Sequence, residues 1–221
     1  DLIDFIADLG AQLPGGVIGM LLGIPDEARD GIRDRVEASL RTEEGKPMDH
    51  SQSSYRGEGF EDYVEWRSKN PADDLMTELL GTDFVDIDGT KRKLTREEVL
   101  LFVNVIAGAG NETTAKLIGW IGKVLGEHPD QRRQIAADLS LVPATIEEIL
   151  RFEPPGPAVA RCVTRDVELH GQIVPAGSAM VCIIASANRD DSRFPDGDTF
   201  NIHRQGAPHM TFGRGVHACL G

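Results

Sequence analysis

Basic residues are scarce in this chain: 23 Lys and Arg stand against 36 Asp and Glu over 221 residues, a formal net charge of −13. That balance argues against a nucleic-acid surface, which needs clustered cations to neutralise phosphates, and against attraction to anionic lipid, although net charge does not reveal a local basic patch. Cysteine is equally sparse. Cys162, Cys182 and Cys219 form no close pair, so the sequence holds neither a C-x-x-C zinc half-site nor a disulfide framework. Free thiols fit a reducing cytoplasm, the expected location. Long apolar runs are missing too. The longest, residues 99–110, is broken by Asn104 and followed by Asn111, Glu112 and Lys116. It falls short of the ~20 residues of a membrane span and reads as a buried helix. The first residues mix acids with Gly and Pro and carry no basic-then-apolar leader. The chain does not begin with Met, and its natural start is expected upstream. No internal repeat is visible.

What is present suffices for a sizeable core: 40% of the residues are hydrophobic, enough for one large domain or two small ones. Helices are expected over residues 1–40, with breaks at Pro14-Gly15-Gly16 and at Pro25 and a second helix opening at Asp26. Residues 42–59 are polar and rich in Gly and Ser, a loop or mobile connection whose composition hints at a lid but is more often that of a plain solvated loop. Two helices at 60–68 and 72–80, separated by Asn70-Pro71, precede a polar turn or small hairpin around Asp88-Gly89. Thr95 and Glu98 spell a capping box, which opens a helix running to Glu127 before His128-Pro129. At 1.5 Å per residue such a helix is roughly 45 Å long and crosses a whole domain. A further helix at 143–152 ends at Pro154-Pro155, short β-rich runs come after it at 158–163, 167–169 and 179–185, and residues 186–221 look irregular. The fold class is therefore mainly α with a small β component.

The last ten residues, FGRGVHACLG, carry the chemistry. Gly213 and Gly215 permit positive φ and close backbone approach, so the loop can turn tightly beneath a flat ligand. Cys219 can then present a thiolate to iron, with nearby N–H groups tuning the sulfur. The decapeptide resembles the cysteine loop of the cytochrome P450 family, F-x-x-G-x-x-x-C-x-G, and Phe212, Gly215, Cys219 and Gly221 fill it. The resemblance implies that Cys219 is the axial ligand of haem b, that Phe212, Gly213 and Gly215 shape its cradle, and that His217 meets a haem propionate.

Three more motifs of that family occur in order. Ala109-Gly110-Asn111-Glu112-Thr113 matches A-G-x-[DE]-T. Ala109 and Gly110 lie four and three residues before Thr113, so two small side chains leave room beside the hydroxyl for a macrocycle and dioxygen. The resemblance gives Thr113 the task of organising water and Glu112 that of relaying protons. Considered alone, Thr113 would bond back to the carbonyl four residues earlier. Glu148-Ile149-Leu150-Arg151 is E-x-x-R, with Glu147 equally able to reach Arg151, and Phe200 with Arg204 matches F-x-x-x-R. The family joins Glu148, Arg151 and Arg204 in a structural triad. Arg161 stands where soluble members place an arginine on a haem propionate, and a guanidinium suits a carboxylate bidentately.

The resemblance implies one incomplete P450-like domain, truncated at both ends, with a helical part over about 1–155 and a β-rich, irregular part over about 156–221. It implies a soluble monooxygenase that inserts one atom of O2 into an apolar small molecule. Electrons would come from NAD(P)H through a ferredoxin or flavoprotein partner. Val103, Ala107, Gly110, Ala158 and Val159 are candidates for pocket lining, although a core role is the stronger reading for any one of them taken singly. Two alternatives stand beside this. Gly108-x-Gly110-x-x-Thr113 after the apolar 100–106 is a degraded dinucleotide loop, which would make the chain a Rossmann-type nicotinamide dehydrogenase, although its third glycine is missing. A haem-thiolate protein that binds or senses without turnover is the other.

Overall fold

The computed structural model describes residues 3–29, 31, 59–205 and 208–221. The chain divides into two compact units, Asp1–Ala115 and Lys116–Gly221. The expected polar loop at 42–59 falls almost wholly outside the described residues, as does most of the helix opening at Asp26, of which residues 26–29 are helical.

The first unit begins with a wide π-helical turn, Phe5–Gly10, whose entry Asp4 caps by accepting the Ile6 and Ala7 N–H groups. Helix α1, Gln12–Leu21, follows. The Pro14-Gly15-Gly16 triplet, expected to break the chain, lies inside this helix. Pro14 is its third residue, where the backbone N–H has no intrahelical partner to lose. Helices α2, Glu61–Lys69, and α3, Leu75–Gly81, come next, α3 opened by the Asp74 carboxylate on the Thr77 N–H. Arg67 and Asp74 form a buried ion pair at 2.8 Å. A hairpin of β1, Asp83–Val85, and β2, Lys91–Lys93, leads into helix α4, Arg96–Glu127.

The start of α4 is fixed by the expected capping box. Glu98 N–H donates to Thr95 Oγ1 at 3.2 Å and Thr95 N–H returns to Glu98 Oε2 at 2.7 Å. Arg92 of β2 grips the same carboxylate and Asp86, and lies over the Phe84 ring, so the hairpin is stapled to the helix end. Hydrogen bonds from Arg92, then from the Thr95 N–H, hold the Glu98 carboxyl down at about 2. Leu22, Phe60, Val64, Met76, Val99 and Val103 fill this unit's core.

In the second unit the end of α4 packs Val124 against Ile149, Phe200 and Ile202. Pro129 both stops α4 and starts α5, Pro129–Ala137, a helix the sequence reading does not contain. Proline at the first helical position gives up an N–H that would be unpaired anyway, and Asp130 adds a carboxylate to the first turn. Helix α6, Val142–Phe152, comes after a short 3-10 turn. Strands β3, Ala158–Cys162, and β6, Ala179–Ile183, pair antiparallel with Arg161 opposite Met180. Strands β4, Val167–Leu169, and β5, Gln172–Val174, form a hairpin about His170 and Gly171. Both turn residues have positive φ, which matches the right-handed twist of the strands. The run expected to stay extended to 185 turns helical at α7, Ile184–Ala187.

All sheets among the described residues are two-stranded and antiparallel. The apolar residues 100–106 are helix, within α4. The dinucleotide loop needs a strand there and a parallel sheet around it, so that reading is corrected. No helix among the described residues is long and apolar enough to cross a membrane.

Candidate functional site

The cysteine loop is built by three main-chain hydrogen bonds. Gly213 N–H donates to the Met210 carbonyl at 2.9 Å, Ala218 N–H to Gly215 at 3.1 Å, and Cys219 N–H to Phe212 at 2.7 Å. The third closes a ring from Phe212 to the cysteine. Gly213 and Gly215 have φ of 66° and 75°, a region that L side chains rarely adopt, and nothing lies within 4 Å of where a Gly215 Cβ would stand. The loop thus exposes a clear stretch of backbone. Cys219 itself is exposed, and so is His217, the last residue of the 3-10 turn Gly215–His217. Phe212 is half exposed and tilts against the His209 ring at 5.8 Å.

This donor set fits haem. Among the described residues no group of three His, Cys, Asp or Glu could hold a metal ion. A single thiolate suits an iron already held by a macrocycle. Arg161 lies on the exposed strand β3, and its guanidinium reaches the neighbouring Ala160 carbonyl at 2.8 Å. No described carboxylate pairs with it, which leaves its charge for an anionic group such as a propionate.

Behind the loop stands the E-x-x-R helix. Glu148 and Arg151 are 4% and 2% exposed, and such burial of charge is tolerable only with every donor and acceptor matched. Arg151 Nε and Nη2 donate to the two oxygens of Glu148 at 2.7 and 2.8 Å, and its remaining N–H groups reach the Asn188, Gly197 and Thr199 carbonyls. Arg204 Nε joins Glu148 at 3.1 Å, while its Nη atoms take the Pro195, Asp196 and Thr199 carbonyls. Glu148, not Glu147, is the partner of Arg151; Glu147 pairs with His209 at 3.2 Å. Phe200 is buried between His128 and Phe152.

Gln131 and Arg189 play parts that no motif announced. The Gln131 amide donates to the Phe200 carbonyl at 2.9 Å and accepts from Ile202 N–H at 2.8 Å, bracketing the segment before Arg204. Arg189 covers the end of α6, donating to the Phe152 carbonyl at 2.7 Å and pairing with Glu153. Pairing over such separations leaves no local pattern to read.

The acid-alcohol motif belongs to α4. Thr113 is exposed and its hydroxyl donates to the Ala109 carbonyl at 2.6 Å, the bond expected of a lone helical threonine. Ala109 is exposed one turn earlier, and Glu112 is half-buried. Ile18 of α1 stands where a Gly110 Cβ would be, so the small size of Gly110 lets α1 approach α4 closely. Val103 and Ala107, candidates for pocket lining, are core instead. The exposed apolar side chains of α4 are Leu101, Phe102 and Val105, on the side that carries Ala109 and Thr113. Ala158 and Val159 are exposed on β3.

A family model for cytochrome P450 matches residues 50–221. The chain is 35% identical over 226 residues to the cyclomarin C epoxidase CymV of Salinispora arenicola, covering 99% of this chain and 56% of that protein. Among solved structures, cytochrome P450 CYP109Q5 from Chondromyces apiculatus superposes with a TM-score of 0.84 at 38% identity, over 98% of this chain and 53% of the other. A mutant of P450 EryK in complex with erythromycin B gives 0.88 at 32% identity, over 99% and 57%. The chain spans about half the length of the curated relatives it matches, and its architecture is an incomplete version of their fold. A match that takes in the buried E-x-x-R pair and the glycine-shaped cysteine loop together places this chain in the cytochrome P450 family.

Proposed function

We propose that the whole protein is a haem-thiolate monooxygenase that transfers one oxygen atom of O2 to an apolar small molecule, with NAD(P)H electrons delivered one at a time by a ferredoxin or flavoprotein. The observation that carries the reading is the cysteine loop, closed from Phe212 to Cys219 and offering an exposed thiol beside clear backbone. Cys219 would hold the iron through its Sγ atom, and Arg161 and His217 would neutralise the propionates. Haem b, when bound, supplies activation of dioxygen, which a thiolate ligand favours by pushing electron density to the iron.

The chain's own residues would do the rest. Ala109 would border the cofactor, its methyl leaving space beside Thr113. The Thr113 hydroxyl proton is committed to the Ala109 carbonyl, so its oxygen can accept a hydrogen bond and fix a water molecule. Glu112 would pass protons to that water, since acid beside alcohol is the pairing such delivery needs. Leu101, Phe102 and Val105 give the same helix an exposed apolar surface, which favours an apolar substrate over a charged one. The location proposed is the cytoplasm.

The test is turnover of the full-length protein under 18O2 with NADPH, a ferredoxin and its reductase, against a panel of apolar compounds. One labelled atom per product is expected, and Thr113→Ala should consume NADPH with less product. Haem uptake with no labelled product would leave a binding or sensing protein, and intact product yield in Thr113→Ala would remove that residue from the reaction.

A further inference from the structure

We infer that Asn188 and Thr211 are positioning residues for the cysteine loop, tying the residues that lead into it to the last turn of α6. Asn188 is fully buried. Its main-chain carbonyl accepts Arg151 Nη1 at 2.8 Å, while its side-chain amide turns to the loop. Oδ1 accepts the Met210 N–H at 2.7 Å, and Nδ2 donates to Thr211 Oγ1 at 3.0 Å. The Thr211 hydroxyl then donates to the Leu150 carbonyl at 2.6 Å.

The direction of every bond is dictated by chemistry. A backbone N–H can only donate, so the amide oxygen faces Met210 and the amide nitrogen faces Thr211. The Thr211 oxygen, already accepting, spends its one proton on Leu150. That carbonyl needs it: in a continuing helix its donor would be residue 154, which is proline and has no N–H. The segment Met210-Thr211 is thereby held at two adjacent residues. Phe212 comes directly after, and its carbonyl receives the Cys219 N–H. A continuous path of hydrogen bonds and short chain runs from α6 to the cysteine backbone, and Asn188 serves both this path and the buried arginine. The clamp is a property of this chain's loop; its consequence for iron ligation rests on the function proposed above.

The test uses the full-length protein with Thr211→Val, which removes the hydroxyl at nearly constant shape, Thr211→Ser, which keeps it, and Asn188→Asp, which keeps the acceptor for Met210 but loses the donor. Hydrogen exchange is followed first without haem. The amides of Met210, Gly213 and Cys219 in Thr211→Val, and those of Gly213 and Cys219 in Asn188→Asp, should exchange about tenfold faster, the scale of one hydrogen bond lost from a local opening. Those of α5 and the β4–β5 hairpin should not change, and Thr211→Ser should behave as the unmodified protein. With haem, the reduced carbon monoxide complex of the two weakened variants should lose part of its thiolate-type Soret band. Unchanged loop amides in Thr211→Val, or equal acceleration everywhere, would overturn the clamp. So would a Met210 amide that exchanges as fast as free chain in the unmodified protein, a measurement that needs no variant to fold. If the exchange pattern holds but the unmodified protein shows no thiolate band, the clamp stands and the proposed function fails.

Discussion

Arg204 Nε donates to Glu148 Oε1 at 3.1 Å, joining residues 56 positions apart and fastening the irregular segment before the cysteine loop to α6. Glu148 is the shared acceptor: the same oxygen also takes the Asn201 N–H at 2.9 Å, and Arg151 occupies both oxygens. Removing Arg151 leaves this carboxylate buried beside only one cation. Arg151→Met is therefore expected to cost about 3–5 kcal/mol, and Arg204→Met less, because Arg204 is the more exposed partner and Arg151 remains. Urea unfolding of the two variants checks the order; equal and small losses would contradict it.

Gly197 makes a quieter contribution to the same cluster. Its carbonyl accepts Arg151 Nη1 at 2.8 Å, and a Cβ placed on it would collide with the Arg189 carbonyl. Backbone cannot swing aside as a side-chain tip can, so Gly197→Ala should destabilise by about 1–3 kcal/mol, the usual range for overpacking. Gly110→Ala differs, because the obstacle there is the flexible end of Ile18. Thermal melting should separate the two, with Gly197→Ala the lower.

Glu98 sets a pH dependence at the start of α4. Its carboxyl is lowered from 4.5 to about 2 by Arg92 and the Thr95 N–H. A lowered value in the folded state means that the charged form stabilises: the contribution is complete above the ordinary value and is lost as pH falls through about 2. The melting temperature should therefore fall more steeply in the unmodified protein than in Glu98→Gln between those limits. Carboxyl NMR shifts give the direct check, and a Glu98 midpoint near 4.5 would contradict the staple.

What could be read in the sequence was local or periodic. Thr95 and Glu98 lie within one turn, and their reciprocal bonds form as their spacing predicts. Glu148 and Arg151 were visible as a pair, but Glu147 satisfied the same helical geometry, and only the buried partners of α6 separate the two. Pro129 reads as a stop and is also a start, since a proline can end one helix and occupy the first position of the next. Apolar residues occupy most of the circumference of α4, so periodicity alone leaves Val103 and Ala107 between core and pocket lining, and their burial places them in the core. Gln131, Asn188 and Thr211 were beyond reach, because their partners lie 22 to 71 positions away.

The central claim is that Cys219 binds haem iron as a thiolate. The most direct measurement is the absorption spectrum of the reduced, carbon monoxide-bound full-length protein beside its Cys219→Ser variant. A strongly red-shifted Soret band in the former that vanishes in the latter is the predicted result. A band that survives the substitution, or a full-length protein that takes up no haem, would contradict the account.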